Sequence, residues 1–129
     1  MMLMMDVDKF KEYNDTFGHH NGDKFLILVA QTLHMSLRKE DRACRMGGDE
    51  FAAVLFFDHG TADAQIKERA QQIFDKLNMT LKGTPGGTGI SMGAVIAREG
   101  ATFNGLYEAS DAALYQAKER GRSRLVIHE

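Results

Sequence analysis

The sequence predicts a single α/β domain in which a mixed central β-sheet is flanked by helices. The chain has 129 residues, a length at which one domain buries a substantial core. Hydrophobic residues make up 43% of it and charged residues 26%, which is typical of globular proteins. Segments with strand and helix patterns alternate in the order β-α-α-β-β-α-β-β-α-β, which mixes hairpins with crossovers and therefore favours a mixed sheet covered by helices.

The first third of the chain predicts a buried strand followed by two helices. Residues 1–7 form a short apolar run that ends in acid, which is consistent with a buried strand. Aromatic residues recur at helical spacing over residues 8–17, and Gly18 then ends the first helix. A longer helix is expected over residues 21–38, and because it is apolar on more than one side we expect it to be well buried.

The middle of the chain predicts a hairpin, a helix and a second hairpin. Strands over residues 42–46 and 51–57 flank a Gly-Gly pair, a strong hairpin signal because tight turns need positive φ. Thr61 is expected to cap the next helix, whose buried stripe runs from Ile66 to Leu77. Strands over 79–81 and 90–97 are then expected on either side of a glycine-rich hairpin loop.

The last part predicts a helix over residues 104–120, stopped by Gly121, and a strand over 124–128. No linker and no internal repeat divides the chain, so residues 1–129 are expected to form one domain.

Charge and cysteine content exclude several classes of protein. Sixteen Lys and Arg against 18 Asp and Glu give a net charge of −2, so no strong positive field would attract nucleic acid or an anionic membrane. One cysteine excludes an internal disulfide and fits a reducing compartment. No apolar run approaches the length of a membrane span and no signal peptide is evident, so a cytoplasmic location is predicted.

Acidic residues mark the first strand end and the Gly-Gly turn. If the first strand lies beside the hairpin, Asp6 and Asp49 share one space, and two carboxylates brought together favour a cation between them. A site with a small number of protein oxygen ligands leaves coordination positions of the ion free, which suits Mg²⁺ that also binds nucleotide phosphates. The alternative is that Asp6 simply ends a strand and Asp49-Glu50 are solvated turn residues. A calcium loop is excluded because Phe10 occupies its third ligand position.

Basic residues near the end of the last helix suggest a phosphate site. Lys118 and Arg122 are four residues apart and so share one helix face. Their alternative role is to interact with the helix dipole. At the end of the second helix, Arg38 and Asp41 raise the same question of whether they form a phosphate site or only interact with the helix dipole.

An ordered series of motifs resembles the GGDEF family of diguanylate cyclases. The matching segments are residues 6–11, 14–15, 18–19, 22–23, 47–51 (Gly-Gly-Asp-Glu-Phe), 90–93 and 111–122. The resemblance implies an α/β fold similar to the palm of nucleotidyl cyclases and polymerases, with a ferredoxin-like core. It also implies condensation of two GTP into cyclic di-GMP with release of two pyrophosphates. Since each half-site holds one GTP, an antiparallel homodimer is implied for catalysis.

The resemblance assigns a metal site and catalytic groups. Asp6, Asp49 and the main-chain carbonyl of Val7 would hold Mg²⁺, with Mn²⁺ as the alternative ion. The pair Asp49-Glu50 would include the proton acceptor for the 3′-hydroxyl, with the choice between them left open, and Lys11 would stabilise charge in the transition state.

Substrate-binding positions are assigned in the same way. Asn14 and Asp23 match the guanine-reading pair, since a carboxylate accepts hydrogen bonds from guanine that adenine does not offer. The alternative is that both are ordinary helix-end residues. Lys118 and Arg122 match the phosphate-binding pair. The turn glycines, Gly47 and Gly48, would let the main chain approach the nucleotide closely.

A product-inhibition site is implied as well. Arg38 and Asp41 match the family's Arg-x-x-Asp sequence, and Arg69 falls on the helix that often supplies a second arginine. Arginine binds guanine edges and phosphates together, so bound product could hold two domains apart.

One departure from the family concerns the start of the chain. Members usually begin with an Asp-x-Leu-Thr-x-Leu-x-Asn-Arg segment that is not found here. The domain is therefore expected to lack its N-terminal helical segment and any upstream sensor domain. The alternative function is a catalytically inactive GGDEF module that binds GTP or cyclic di-GMP and regulates a partner. Intact acids at positions 6, 49 and 50 favour catalysis.

Overall fold

A computed structural model describes all 129 residues, Met1–Glu129. The elements follow the order β1 (Met2–Val7), α1 (Phe10–Phe17), α2 (His19–Ser36), β2 (Arg42–Gly47), β3 (Glu50–Val54), α3 (Asp63–Lys82), β4 (Ile90–Val95), α4 (Phe103–Glu119) and β5 (Leu125–Ile127). The predicted α/β class with a mixed sheet flanked by helices is confirmed. None of the helices combines the length and the apolar character that crossing a membrane requires.

The five strands form one sheet in the order β2-β3-β1-β4-β5. Central strand β1 is antiparallel to both of its neighbours, whereas β4 and β5 are parallel. All six residues of β1 are buried, which explains why the strand begins with a continuous apolar run instead of an alternating pattern. Because β1 lies beside the β2–β3 hairpin, its last residues lie next to the Gly-Gly turn.

Side chains of β1 alternate between two apolar layers, as the pleat of a strand requires. Leu3, Met5 and Val7 belong to the larger core cluster, which also contains the buried residues of α2 and α3. Met2 and Met4 pack instead in a second cluster with Leu114 of α4. The sheet is therefore covered on both faces, and Asp6 continues the row of residues that faces α4.

Gly93 sets how closely α4 approaches the sheet. A Cβ at this position would collide with the main chain of α4 at Ser110 and Leu114. Only glycine permits this separation between helix and strand. The glycine in the Ile-Ser-Met-Gly run thus helps to hold the last turn of α4 near the end of β1.

The strand predicted over residues 79–81 is wrong, because α3 continues to Lys82. Leu81 follows Leu77 by four residues and both are fully buried, so the buried stripe of the helix extends through this segment. Met79 points outward and is 73% exposed. The glycine-rich loop consequently joins α3 to β4 and is not a hairpin loop.

Two predictions near the start of α3 are also wrong. Thr61 does not cap this helix: Ala62 is the N-cap residue, and the Thr61 hydroxyl donates to the carbonyl of Asp58 at 2.7 Å. The preceding strand ends at Val54 and does not reach residue 57. The amide of Phe56 donates to the Asp41 carboxylate at 3.1 Å, so it is not available for the sheet.

Candidate active site

A polar cleft of about 630 Å³ opens at the end of β1, where the β2–β3 turn, the start of α1 and the end of α4 meet. Its lining consists of Asp6, Val7, Asp8, Lys9, Phe10, Lys11, Glu12, Asn14, Gly48, Asp49, Glu50, Lys118 and Arg122. Two other cavities of similar size have mostly hydrophobic linings. This cleft is therefore the place where charged side chains from distant parts of the sequence converge.

Asp6 lies at the centre of the acidic side of the cleft. It stands directly opposite Glu50 in the β1–β3 register, and Asp49 precedes Glu50 in the turn. Only 6% of Asp6 is exposed. Burial raises the pKa of Asp6 to about 6; contact with Lys118 opposes this rise, and the charges of Asp49 and Asp8 add to it.

The basic side of the cleft is formed by the end of α4. The Lys118 ammonium on the last turn forms an ion pair with the Asp6 carboxylate. Arg122 is exposed, lies just beyond the helix and has a left-handed main-chain conformation with φ of 63°. Lys11, exposed on the first turn of α1, adds a third cation to the lining. These positive charges suit a polyanionic ligand such as a triphosphate.

The donor atoms at the acidic side fit a divalent cation of the Mg²⁺ type. No group of three His, Cys, Asp or Glu side chains converges anywhere in the chain. The predicted set needs only two carboxylates, from Asp6 and Asp49, and one main-chain carbonyl, from Val7. These are hard oxygen ligands, and Mg²⁺ characteristically keeps several waters or phosphate oxygens besides. A cation would also relieve the repulsion by which Asp49 raises the pKa of Asp6.

The Gly-Gly turn leaves open space above its main chain. Gly47 and Gly48 have φ of 152° and 52°, and a Cβ on either would meet no atom within 4 Å. Gly48 adopts the left-handed conformation that glycine favours, and its carbonyl accepts from Arg45 Nε at 2.7 Å. The ladder between β2 and β3 shifts register between Arg45 and Gly47. Such a bulge redirects the turn, here toward the cleft.

Asn14 carries the one buried side-chain polar atom without a hydrogen-bond partner, its Oδ1. The side chain lies against Gly22, where a Cβ would collide with that oxygen. Buried acceptors are almost always satisfied, so an orphaned one points to a ligand. Asp23, the other predicted guanine-reading residue, is exposed and lines a neighbouring cavity between α2 and the hairpin rather than the polar cleft.

Asp8 is a residue whose role the sequence reasoning missed. Its buried carboxylate accepts from Ser91 Oγ at 2.5 Å and from the Ser123 amide at 3.0 Å. The Asp-x-Asp spacing was the available signal. A local pattern does not reveal that partner, because Ser123 lies 115 residues further along the chain.

The predicted inhibitory residues lie together on another part of the surface. Arg38 and Arg69 line a polar cavity of about 400 Å³. Asp41 is buried beneath it and accepts from the amides of Arg38 at 2.9 Å and Phe56 at 3.1 Å. Its carboxylate also pairs with Arg69 at 3.4 Å. Asp41 therefore orients one of the two arginines.

Comparison with known proteins identifies relatives over nearly the whole chain. The family model described as "Diguanylate cyclase, GGDEF domain" matches residues 1–124. The probable diguanylate cyclase DgcJ of Escherichia coli (strain K12) is 36% identical over 124 residues, covering 96% of this chain and 24% of DgcJ. Diguanylate cyclase DosC of the same strain is 37% identical over 127 residues, covering 98% and 28%. The chain thus spans about a quarter of the length of these relatives.

Solved structures share the fold. The GGDEF domain of DgcB from Caulobacter crescentus, in complex with c-di-GMP, superposes with a TM-score of 0.85 at 27% identity, covering 98% of this chain and 76% of that one. The diguanylate cyclase SiaD from Pseudomonas aeruginosa, in complex with its activator SiaC, gives a TM-score of 0.84 at 33% identity, covering 98% and 48%.

Proposed function

The chain belongs to the GGDEF family of diguanylate cyclases, and from this premise we propose that it condenses two GTP molecules into cyclic di-GMP and releases two pyrophosphates. In each half-reaction the 3′-oxygen of one GTP forms a bond to the α-phosphorus of the other. The bond from that phosphorus to the bridging oxygen breaks, and pyrophosphate leaves. The observation that carries the proposal is that one polar cleft is lined both by several carboxylate side chains and by several Lys and Arg side chains.

The acidic side of the cleft would hold the metal. Asp6, Asp49 and the carbonyl of Val7 are the proposed ligands of Mg²⁺, with Mn²⁺ as the alternative ion. When bound, the ion neutralises the triphosphate and lowers the cost of forming a 3′-alkoxide. The raised pKa of Asp6 supports this assignment, because a buried carboxylate beside another one gains most from a bound cation.

The turn and the basic residues would handle the proton and the charge. Asp49 or Glu50 accepts the proton of the 3′-hydroxyl, a role that typically contributes about 10²–10⁴-fold to rate. Lys118 and Arg122 bind phosphate oxygens, and Lys11 stabilises the charge that develops on the phosphoryl group. The open space above Gly47 and Gly48 leaves room for the nucleotide beside the turn.

Guanine recognition is assigned to Asn14 and Asp23. The unpaired Oδ1 of Asn14 would accept from the amino group of guanine, and Asp23 would accept from the ring N–H. Because α1 and α2 meet at Gly22, which precedes Asp23, the two side chains belong to adjacent helix surfaces. Adenine offers neither donor in that arrangement, which is the basis for selecting GTP.

Assembly and control complete the proposal. Each domain holds one GTP, so two copies face each other antiparallel during catalysis. Product binds at Arg38 and Arg69, with Asp41 holding Arg69 in place, and this slows the reaction. The complex of the DgcB domain with c-di-GMP supports product binding by such a fold. Since the relatives are about four times longer, we propose that the domain acts as the output of a sensor-containing protein.

The decisive experiment incubates the protein with Mg²⁺ and GTP and separates the products by chromatography. We expect cyclic di-GMP and pyrophosphate from the wild type and none from Asp49→Ala. The matched control, Asp75→Ala, alters an exposed acid on α3 away from the cleft and should leave turnover unchanged. No cyclic di-GMP at high protein concentration, together with tight GTP or cyclic di-GMP binding, would instead support the inactive regulatory module.

A further inference from the structure

The turn after α4, residues 121–123, carries Arg122 in an unfavourable conformation. Arg122 and Ser123 both have left-handed main chains, with φ of 63° and 51°. Two consecutive residues other than glycine adopt this conformation only where the surroundings hold them in it. An isolated turn of this sequence would therefore relax to another shape, and the exposed Arg122 would no longer be directed to the cleft.

A partly buried hydrogen-bond network provides the restraint. The Asp8 carboxylate accepts from the Ser123 amide at 3.0 Å and from Ser91 Oγ at 2.5 Å. The hydroxyl of Ser123 donates to Asn78 Oδ1 at 3.2 Å. Asn78 also accepts from the Ile90 amide at 3.1 Å. The turn is thus tied through Asp8 to the end of β1 and through Asn78 to α3 and β4.

Asp8 is the member of this network that joins the turn to the acidic side of the cleft. It lies two residues beyond Asp6, and its carboxylate oxygens face Ser91 and Ser123. Hydrogen bonds to a charged acceptor are stronger than those to a neutral one, so a carboxylate suits the task better than an amide would. Ser91 is fully buried, which fixes the direction of the carboxylate.

We propose that Asp8 is a positioning residue: it holds the 121–123 turn so that the Arg122 guanidinium stays over the polar cleft and binds the phosphates of the nucleotide. This inference rests on the proposed function for its ligand, and on the hydrogen-bond network for its geometry. In this role Asp8 acts through Arg122 and does not itself bind the phosphates.

The test compares Asp8→Asn with three other variants. An asparagine is uncharged, so the Ser123 amide would exchange a hydrogen bond to a charged carboxylate for a weaker one to a neutral oxygen, and the restraint on the turn would weaken. Asp75→Asn is the matched control, because it makes the same chemical change at an exposed acid on α3 outside the network. Arg122→Ala removes the positioned group, and the double variant Asp8→Asn/Arg122→Ala measures the coupling between them.

The readout is binding of a GTP analogue whose α–β bridge resists cleavage, set against binding of guanosine, which has no phosphates. We expect Asp8→Asn to weaken binding of the analogue about tenfold and to leave guanosine binding unchanged. The double variant should bind the analogue no more weakly than Arg122→Ala alone. Equal weakening of both ligands, or additive effects in the double variant, would overturn the proposal.

Hydrogen exchange separates this inference from the proposed function. The Ser123 amide should exchange faster in Asp8→Asn than in the wild type or in Asp75→Asn. Unchanged exchange would refute the positioning role whatever the protein catalyses. If the wild type binds the analogue but forms no cyclic di-GMP, catalysis fails while the positioning role is still decided by the binding data. If the wild type does not bind the analogue, both the proposed function and the phosphate-binding part of this inference are wrong.

Discussion

Lys118 and Asp6 form an ion pair that joins the last turn of α4 to the end of the central strand. The pair does not offset the full cost of burial, because the pKa of Asp6 is still raised to about 6. A charged Asp6 therefore lowers the stability of the fold, while it is one of the ligands that we propose for the metal. Such a conflict between stability and site chemistry is common at functional sites.

Replacing Asp6 by asparagine should stabilise the protein at neutral pH while abolishing turnover. The ordinary pKa of this carboxyl is 3.8 and its folded pKa is about 6, so between these values the folded chain keeps a proton that the unfolded chain has lost. Wild-type stability therefore falls as pH rises through this window. The stability of Asp6→Asn should not fall in this way, because asparagine does not titrate.

Thermal unfolding with EDTA at pH 4 and pH 8 measures the effect. The Tm of Asp6→Asn should exceed that of the wild type by a few degrees at pH 8 and should not exceed it at pH 4, since about 1 kcal/mol shifts Tm by roughly 4 °C in a domain of this size. Asp75→Asn, an exposed control on α3, should show no pH-dependent difference. An equal Tm difference at both pH values would contradict this account of Asp6.

A methyl group at Gly93 should destabilise the whole domain. Gly93→Ala drives a Cβ into the main chain of α4, which cannot move aside as a flexible side chain could. Overpacking of this kind costs about 1–3 kcal/mol. Urea denaturation followed by circular dichroism gives the free energy of unfolding. Gly105→Ala in α4 is the control: its Cβ meets only Thr102 Oγ1 at 3.2 Å, and a small change is expected.

Substitutions at Arg38 and Asp41 should have different effects, because Arg38 is proposed to bind product whereas Asp41 stabilises the fold. Arg38→Ala keeps the main-chain amide that Asp41 accepts from, so stability should change by less than about 0.5 kcal/mol. The Arg38 side chain lines the polar cavity that also contains Arg69. Arg38→Ala should therefore relieve inhibition by cyclic di-GMP without lowering the initial rate.

Asp41→Ala should instead lower stability by about 1–3 kcal/mol, since two amides and the Arg69 guanidinium lose their acceptor. Product-inhibition curves and urea denaturation of both variants provide the measurement. Wild-type sensitivity to product in Arg38→Ala would refute the inhibitory site, and wild-type stability in Asp41→Ala would refute its structural role.

Asn14 should contribute to ligand binding and little to folding. Its Oδ1 has no hydrogen bond to lose, so Asn14→Ala should unfold within a few degrees of the wild type. Affinity for GTP should fall about tenfold, because one hydrogen bond to guanine is lost. Calorimetric titration with GTP and ATP measures both affinity and discrimination. Asn104→Ala, exposed on α4 at its far end, is the control; unchanged GTP affinity in Asn14→Ala would disprove the assignment.

The helices, all five strands and the family were predictable because their signals are local or ordered along the chain. Apolar residues at helical spacing mark α3 and α4, and the buried run of residues 1–7 marks β1. The error at residues 79–81 has the opposite cause. Three residues are too few to show a periodicity. The helix end is recognised only because Leu81 lies four residues after Leu77 and is buried with it in the core.

By itself, the sequence determined which residues carry charge, where the turns need glycine and which family the domain belongs to. The tertiary structure alone decided that β1 lies between β3 and β4, that Asp6 meets Lys118, and that Asp8 meets Ser123. The reason is physical: strand order and layer packing result from burial summed over the whole chain, whereas a motif specifies only its own neighbourhood. Contacts between residues more than a hundred positions apart follow from that sum.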